Sequence, residues 1–341
     1  MKKMLSVMVV YNLPEKSGVS GAAESDIDTV ESAEIVSAAL IKSGYQTHLL
    51  GIDINDLGKL RKINTDIVFN LIEWTGVNTK YALEAIDIYE KQRIAYTGSG
   101  KFGYRVSCDK REMKQLFNRF KIPTPEAKIF DGSTPITFHG LNFPLIIKPA
   151  REHCGIAIDQ TSVVSDARPA ADKIDEVLRM YQQPVLAEEY IEGREVHVTV
   201  LEKNGRPWVL PPAEVMFRGK GENLPILTYK AKWRENTQEY RESVMLPAKL
   251  DAALETKIQK IARDCYQKLD GKDYPRLDMR IDSQGRVYVL EINNNPGIDY
   301  DGLSGIGVSA RLAGMTFENL VSHIVENAYM RFAQRRVYAA Y

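Results

Sequence analysis

Apolar residues in the first hundred positions fall into four runs of β-forming residues, which predict strands near 4–11, 45–50, 66–72 and 93–97. Two longer segments with helical character lie between them, near 27–43 and 79–91. Gly44 follows the first segment directly, at a place where glycine commonly ends a helix. Strands that alternate with helices form a parallel sheet covered by helices, so an α/β layer is predicted here.

The segment from Arg276 to Gly297 contains two β-rich runs, LDMRID and RVYVLEIN, on either side of a turn-like SQG. This order predicts a hairpin whose side chains alternate between the two faces of a sheet. A loop of about two or about four residues would place on one face Arg276, Asp278, Glu291 and Asn293. A loop of three residues would divide them between the faces.

Two carboxylates and one amide oxygen on one face are suited to Mg²⁺, because this ion prefers hard oxygen donors and commonly bridges substrate phosphates. We therefore predict that Asp278, Glu291 and Asn293 bind metal. A charged, solvent-facing side of an amphipathic hairpin is the alternative interpretation of each residue taken alone. Their combination, followed by Pro296-Gly297, favours the metal site.

Short motifs elsewhere in the chain accompany this hairpin. In order they are VFNLIE (68–73), IAYTGSG (94–100), CDKREMKQLF (108–117), IPTP (122–125), FPLIIKPARE (143–152), VLAEEYIEGREVHV (185–198), VLPPAEV (209–215), RLD, LEINNNPG and RLAGMTFENLV (311–321). Each motif alone is weak evidence. Their order and spacing resemble the ATP-grasp superfamily, specifically its D-alanine:D-alanine ligase branch.

The resemblance implies an α/β protein in which a parallel-sheet, Rossmann-like N-terminal domain precedes an ATP-grasp fold. The stretch TGSGKFG interrupts the alternation of strands and helices and indicates the first boundary. The predicted units are an N-terminal domain, a small subdomain with the phosphate loop and a large subdomain with the metal hairpin, at 1–102, 103–184 and 185–341. Their expected elements include a helix near 109–120, a strand pair around Lys148 and a long helix near 249–269.

The resemblance also implies that ATP binds between the two subdomains together with two Mg²⁺ ions. Mn²⁺ is an alternative to Mg²⁺. Lys110 and Lys148 occupy the positions of the family's two phosphate lysines. Lys148 ends an apolar run on a strand expected to be buried, so it needs an anionic partner, which phosphate would supply. Residues 188–191 would form the hinge that receives adenine, and Glu195 would bind ribose. The full expected nucleotide set is Lys110, Lys148, Cys154, Glu188, Glu189, Tyr190, Ile191, Glu195 and Lys232.

Members of this family couple a carboxylate to an amine. The carboxylate takes the γ-phosphoryl group of ATP, and the amine then attacks the acyl phosphate. Arg276 would stabilise the oxyanion of the tetrahedral intermediate, and Lys232 and Glu24 complete the expected catalytic set. The resemblance places the substrates against Glu24, Glu73, Trp233, Gly302, Leu303 and Ser304.

Three features depart from the family pattern. The phosphate loop of the family reads REGSS, whereas this chain has REHCG, with His153 and Cys154 in place of glycine and serine. Trp233 replaces a tyrosine and lacks its hydroxyl, and the loop after Gly297 is about two residues longer. These changes affect the amino-acid pockets and the lid, so conserved chemistry on an altered substrate pair is expected. A nucleophilic Cys-His pair is a minor alternative, since adjacent loop residues rarely face each other.

The overall composition agrees with a soluble enzyme that acts on small molecules. The 45 Lys and Arg residues balance 45 Asp and Glu residues, so nucleic acid and anionic membranes are disfavoured as partners. No apolar run is long enough to span a bilayer, and a cytoplasmic location is expected. Three cysteines without a CxxC pair argue against a disulfide framework, and Cys265 is expected in the core. The resemblance leaves a homodimer open.

The leading interpretation is an ATP-dependent carboxylate-amine ligase that joins an amino acid to an amino acid or another small metabolite. A peptidoglycan D-alanine:D-alanine ligase is the second interpretation. From another class, a catalytically inactive nucleotide-binding regulator is disfavoured by the retained hairpin residues. A nicotinamide dehydrogenase is disfavoured because no GxGxxG follows the first strand.

Overall fold

The structure is a computed structural model that describes residues 4–14, 23–74, 76–219, 221, 223–298, 300 and 303–338. Within these ranges the side chains of 23–27, 77 and 335–338 lie outside the description. Two predicted substrate contacts are affected. Gly302 is outside the described residues, and Glu24 is described only as a backbone position in the first helix.

The N-terminal unit is the predicted parallel sheet. Its strands are β1 (Ser6–Asn12), β2 (Gln46–Ile52), β3 (Ile67–Leu71) and β4 (Ala95–Tyr96), in the order β2-β1-β3-β4. The helices are α1 (Ala23–Lys42) and α2 (Thr79–Gln92). Gly44 follows α1 with a φ of +86°, a left-handed conformation that glycine adopts without strain. The predicted strands and helices of this part are confirmed.

The middle of the chain forms an antiparallel sheet beside two consecutive helices. The helices are α3 (Lys101–Cys108) and α4 (Lys110–Arg119). The sheet and its covering helix are β5 (Ala127–Phe130), β6 (Leu145–Pro149), β7 (Val163–Val164), α5 (Ala167–Tyr181) and β8 (Val185–Glu189), with strand order β5-β8-β6-β7. Because β8 pairs with β5 and β6, this sheet extends past the predicted boundary at 184.

The C-terminal part contains a second antiparallel sheet, ordered β12-β11-β9-β13-β14, with β10 also paired to β9. Its elements are β9 (Arg194–Lys203), β10 (Arg206–Val209), β11 (Ala213–Phe217), α6 (Tyr229–Trp233), α7 (Gln238–Glu242), β12 (Ser243–Pro247), α8 (Ala252–Lys268), β13 (Arg276–Ile281), β14 (Val287–Asn293), α9 (Ile306–Leu312) and α10 (Phe317–Tyr338). Helix α8 buries Ile258 and Cys265 against Leu277 of this sheet, so Cys265 lies in the core as predicted.

Helix α10 returns to the N-terminal sheet. Leu320 and Ile324 of this helix are fully buried in one cluster with Val9 and Phe69. Burial of such side chains stabilises the fold by about 1.5–3 kcal/mol each relative to exposure. The first strand and the last helix therefore share a core.

The hairpin of β13 and β14 differs in detail from the prediction. The Asp282 N–H donates to the Arg286 carbonyl across a turn of three residues, 283–285, which by alternation would have divided the site residues between the faces. A β-bulge shifts the register after Asp278, so that Asp278 pairs with Glu291 and Arg276 with Asn293. The loop has the length that was expected to divide these residues, and they still share one face because the bulge restores the parity.

Candidate active site

One face of the C-terminal sheet carries an array of charged and polar side chains. Alternate residues of three adjacent strands contribute to it: Glu195 and His197 from β9, Arg276, Asp278 and Arg280 from β13, and Glu291 and Asn293 from β14. Arg280 and His197 were missed by the sequence analysis. The alternation rule identifies both, because each lies two positions from a predicted site residue.

Arg276 and Asp278 form a bidentate ion pair within this face. The Arg276 Nε donates to Asp278 Oδ1 at 2.7 Å, and the Arg276 Nη2 donates to Asp278 Oδ2 at 2.9 Å. The Asn293 amide nitrogen lies 3.3 Å from Asp278 Oδ2 and 3.5 Å from Glu291 Oε1. Arg276 therefore lies beside two predicted metal ligands, Asp278 and Asn293. In this state its ion pair orients the Asp278 carboxylate.

Glu291 lies beside the first predicted phosphate lysine. The Lys110 Nζ is 3.3 Å from Glu291 Oε2 and also donates to the Glu152 carbonyl at 2.6 Å. Burial alone would raise the pKa of Glu291, but Lys110 and then Lys148 hold it well below its usual range. Glu291 is therefore ionised at neutral pH. Lys110 links this carboxylate to the backbone of the phosphate loop.

Lys148 has an anionic partner within the protein, and this corrects the expectation that phosphate supplies it. Its Nζ donates to Glu188 Oε1 at 3.0 Å, and Lys114 forms a second ion pair with the same carboxylate. All three side chains are buried. Lys114 was missed by the sequence analysis, although it lies four residues after Lys110 on one face of α4.

Few backbone N–H groups of the predicted adenine hinge remain as donors for a ligand. The N–H groups of Glu189 and Tyr190 donate to the carbonyls of Glu126 and Pro144, both at 2.9 Å. The carboxylate of Glu189 accepts from Asn142. Within the described part of the chain the Ile191 N–H has no protein partner, so Ile191 is the backbone donor of the hinge that remains for a ligand.

Glu195, the predicted ribose ligand, is held by Arg280. The guanidinium lies 2.8 Å from Glu195 Oε2. Burial opposes ionisation of the carboxyl, but Arg280 and His197 lower the pKa of Glu195 to about 2. Arg280 also donates to the Gly193 carbonyl at 3.1 Å, and its guanidinium lies 5.4 Å from the centre of the Tyr190 ring. Arg280 thereby links the predicted hinge to the charged face of the C-terminal sheet.

The phosphate loop after β6 is attached to helix α6. The Trp233 Nε1–H donates to the Cys154 carbonyl at 3.0 Å. A Cβ on Gly155, whose φ is +77°, would lie 3.1 Å from the Tyr229 nitrogen. The missing tyrosine hydroxyl is therefore replaced by an indole N–H bonded to the backbone, and α6 packs closely over the loop.

Replacing Cys154 with Ala is expected to leave most of the catalytic rate. Burial, and then the charge of Glu73, raises the pKa of the Cys154 thiol to about 12, so the reactive thiolate is scarce at neutral pH. Loss of a covalent nucleophile would reduce kcat by about 10⁶-fold. Steady-state ADP release by the variant distinguishes the two outcomes, and a loss of that size would contradict a noncovalent role.

Two cavities meet beside the hairpin. The first, of about 90 Å³, lies between β6 and β8 on one side and β13 and β14 on the other. The second, of about 910 Å³, extends from α1 and α3 to the start of α9. Among the described residues, those that line both cavities are His153, Cys154, Lys232 and Glu291. Such a junction can bring a group bound in one cavity into contact with a group bound in the other.

The larger cavity receives four of the predicted substrate contacts, which are Glu73, Trp233, Leu303 and Ser304. Asp28 and Glu31 of α1 also line it. Like the predicted Glu24, they are carboxylates of the first helix, which suits them to an ammonium group. Asp28 and Glu31 were missed because the sequence analysis considered the family's glutamate alone.

His197 connects this cavity to the charged face of the C-terminal sheet. Its Nδ1 is 3.1 Å from the Ser304 carbonyl oxygen, and its Nε2 lies 3.7 Å from Glu195 and 3.8 Å from Asp278. Gly305 approaches closely, since a Cβ there would lie 2.9 Å from the His197 Cβ. His197 therefore supports the turn before α9 against the predicted nucleotide and metal residues.

The donor set fits a hard divalent cation. Asp278 Oδ1 accepts from Arg276 and keeps a further lone pair, and Glu291 is ionised. The Asn293 amide lies next to both carboxylates with its nitrogen towards them, so its oxygen would face a cation once the amide is reversed. Within the described ranges no three His, Cys, Asp or Glu side chains converge as a metal-binding group, so the candidate site depends on this amide and on substrate oxygens.

In the part of the chain that the structure describes, no helix combines the length and apolar character needed to cross a bilayer.

Comparisons with known proteins identify relatives over most of the chain. Residues 132–326, more than half of the chain, match the family model described as D-ala D-ala ligase C-terminus. An uncharacterized protein, y4sG, from Sinorhizobium fredii is 30% identical over 309 residues, which cover 88% of each chain. A D-alanine–D-alanine ligase from Acinetobacter baumannii is 27% identical over 304 residues, 87% of this chain and 90% of the relative.

Solved structures agree on the fold. The D-alanine–D-alanine ligase from Bacillus anthracis complexed with ATP superimposes with a TM-score of 0.76 and 21% identity, covering 97% of this chain and 99% of the other. The VanG D-Ala:D-Ser ligase from Enterococcus faecalis gives a TM-score of 0.73 at 18% identity, with 96% and 100% covered. The predicted ATP-grasp fold is thus confirmed, and together with the family match and the 30% identical relative it shows that this chain belongs to the D-Ala-D-Ala ligase family of ATP-grasp ligases.

Proposed function

We propose that this ATP-grasp ligase joins the carboxylate of an amino acid to the amine of a second amino acid or another small metabolite, through an acyl phosphate and with release of ADP and phosphate. One observation carries the proposal. The junction of the two cavities is lined by Lys232 and by the ionised Glu291, next to Lys110. Phosphoryl transfer requires such cationic groups around the phosphates and a second cavity for the acceptor.

The smaller cavity is the proposed nucleotide site. Adenine would lie against Ile191, ribose against Glu195, and the phosphates near Lys110, Lys148 and the phosphate loop. Ligand pockets commonly measure about 300–1,000 Å³. The cavity of about 90 Å³ is much smaller, so we expect the loop and the two flanking sheets to separate when ATP binds.

A divalent cation held by Asp278, Glu291 and Asn293 would neutralise phosphate charge. Arg276 would then turn from Asp278 towards the developing oxyanion, since its guanidinium borders the larger cavity. Closure of the loop through Trp233 would keep water from the acyl phosphate.

The substrates are proposed to bind in the larger cavity. The carboxylates of Glu31 and Glu73 suit the ammonium of the amino acid to be activated, and the turn at Leu303 and Ser304 would hold the second substrate. We therefore expect ADP release to require both a carboxylate substrate and an amine. The test is a matrix of amino acids and small carboxylates, with ADP and product mass measured together. No pair that yields an ATP-dependent amide would refute the proposal.

Ligation of two D-alanines is the second candidate, favoured by the names of the related ligases from Acinetobacter baumannii and Bacillus anthracis. Cys154 and Trp233 replace hydroxyl groups that would orient a small polar substrate, and tryptophan adds apolar surface. We therefore expect D-alanine to be a poor donor. A kcat/KM on the order of 10⁴ M⁻¹s⁻¹ or more with D-alanine alone would favour the second candidate.

Replacing Trp233 with Phe is expected to uncouple ATP hydrolysis from ligation. The variant keeps an aromatic ring but loses the N–H that donates to Cys154. One hydrogen bond contributes roughly 1 kcal/mol, so the open loop becomes about fivefold more populated and water reaches the acyl phosphate. The ratio of ADP to amide product measures this effect. An unchanged ratio would contradict the role of Trp233 in closing the loop.

A further inference from the structure

His153 lies in the phosphate loop, next to Cys154, and lines both cavities. Its Nε2 atom is buried and has no hydrogen-bond partner among the described residues. A buried polar atom without a partner destabilises the folded protein, and such atoms in native structures call for an explanation. At the junction of two cavities, a bound group that supplies the missing hydrogen bond is such an explanation.

The surroundings determine whether the His153 ring carries a charge. Burial, and then the charge of Lys110, lowers the pKa of His153 to about 4, so the imidazole is neutral at neutral pH. A neutral imidazole has one N–H donor and one acceptor. The positive charges of Lys110, Lys232 and Arg276 already act on this ring. A neutral donor adds a directed hydrogen bond without a further cation.

We propose that His153 is a catalytic residue whose Nε2–H donates a hydrogen bond to the phosphoryl group as it passes from ATP to the substrate carboxylate. This rests on the proposed function, because it requires phosphoryl transfer at the junction. In that step the bond from the γ-phosphorus to the ADP oxygen breaks and its electron pair leaves with ADP. A bond from phosphorus to the carboxylate oxygen forms, and the imidazole keeps its proton.

The position of His153 also sets this contact apart from the family pattern. The family pattern has glycine where this chain has His153, and glycine has no side chain that could reach the phosphoryl group. The Lys110 Nζ holds the adjacent Glu152 carbonyl at 2.6 Å, which fixes the backbone from which the imidazole projects. His153 therefore lines the junction from the phosphate loop, and Glu291 lines it from the hairpin.

The experiment compares the parent protein with three variants, His153→Gln, His153→Asn and His153→Ala. Glutamine carries an amide N–H at nearly the reach of the imidazole Nε2, whereas the asparagine amide is one atom shorter and alanine has none. The probe is ADP with Mg²⁺ and aluminium fluoride, which mimics the transferring phosphoryl group. Affinity for ADP and Mg²⁺ alone, and the unfolding midpoint, are measured beside it.

We expect aluminium fluoride to increase the affinity of the parent protein for ADP. In His153→Ala and His153→Asn this increase should be about 100-fold smaller, which is the typical effect of losing one catalytic hydrogen-bond donor. His153→Gln should retain most of it, and affinity for ADP alone should be unchanged in all three. Equal tightening in every variant, or a parallel loss of affinity for ADP alone, would overturn the proposal. So would a parent protein that shows no tightening.

The probe contains no amino acid or amine, so the two proposals can fail separately. A parent protein that forms amides but shows tightening independent of His153 overturns the role of His153 alone. If no substrate pair is ligated while tightening still depends on His153, the ligase proposal fails and the contact to the phosphoryl group stands.

Discussion

Replacing Glu291 with Gln is expected to lower kcat by about 10³-fold or more while leaving the fold intact. The substitution keeps the shape of the side chain but removes a charge that lies 3.3 Å from Lys110 and between the two cavities. A neutral amide binds Mg²⁺ less well and leaves the lysines without their counter-charge. Steady-state rates across a Mg²⁺ titration test this expectation.

Glu34→Gln is the matched control, because Glu34 is exposed on α1 and lies outside both cavities. It should behave like the parent protein in rate and in unfolding midpoint. A nearly normal rate of Glu291→Gln at saturating Mg²⁺ would refute the metal assignment of the hairpin.

Replacing Arg276 with Ala is expected to lower kcat by about 10²–10³-fold with a small effect on the KM for ATP. The oxyanion that Arg276 would stabilise exists only during the reaction, so ground-state binding of ATP does not depend on it. Arg276→Lys is the informative companion. It keeps the charge but loses the planar fork of N–H donors that would face the oxyanion, so it should recover only part of the rate.

Lys148→Ala provides the contrast in the same assay. Lys148 borders the proposed nucleotide cavity and would contact phosphate in ground state and transition state alike, so its loss should raise the KM for ATP. We expect the variant to fold, because Glu188 keeps the ion pair with Lys114. Equal changes in kcat and KM for Arg276→Ala and Lys148→Ala would contradict the separate roles.

The sequence predicted the common face of Arg276, Asp278, Glu291 and Asn293, but for an incomplete reason. Alternation and the turn-like SQG identified the hairpin, whereas the three-residue turn alone would have divided these residues between the faces. The β-bulge after Asp278 restores the alignment. A bulge depends on how neighbouring strands fit together, and the local sequence carries no signal that distinguishes it from regular pairing.

Long-range partners were the second kind of information that the sequence lacked. An apolar strand that ends in Lys148 shows that an anion must lie nearby, but Glu188 and α4 reach it only through the packing of separate elements. Trp233 is similar. Its lost hydroxyl was evident from the motif, whereas its N–H bond to the Cys154 carbonyl depends on the path of two loops. Patterns of residue types therefore located the site, and tertiary contacts determined its internal pairs.

The most direct test of the central claim follows the oxygen atoms of the activated carboxylate. The best carboxylate substrate from the matrix is labelled with ¹⁸O and incubated with ATP, Mg²⁺ and the amine, and the released phosphate is analysed by mass spectrometry. An acyl phosphate transfers one carboxylate oxygen to phosphate, so we predict one ¹⁸O atom in each phosphate released together with amide product. Phosphate without label, released in step with amide formation, would contradict activation of the carboxylate by phosphoryl transfer.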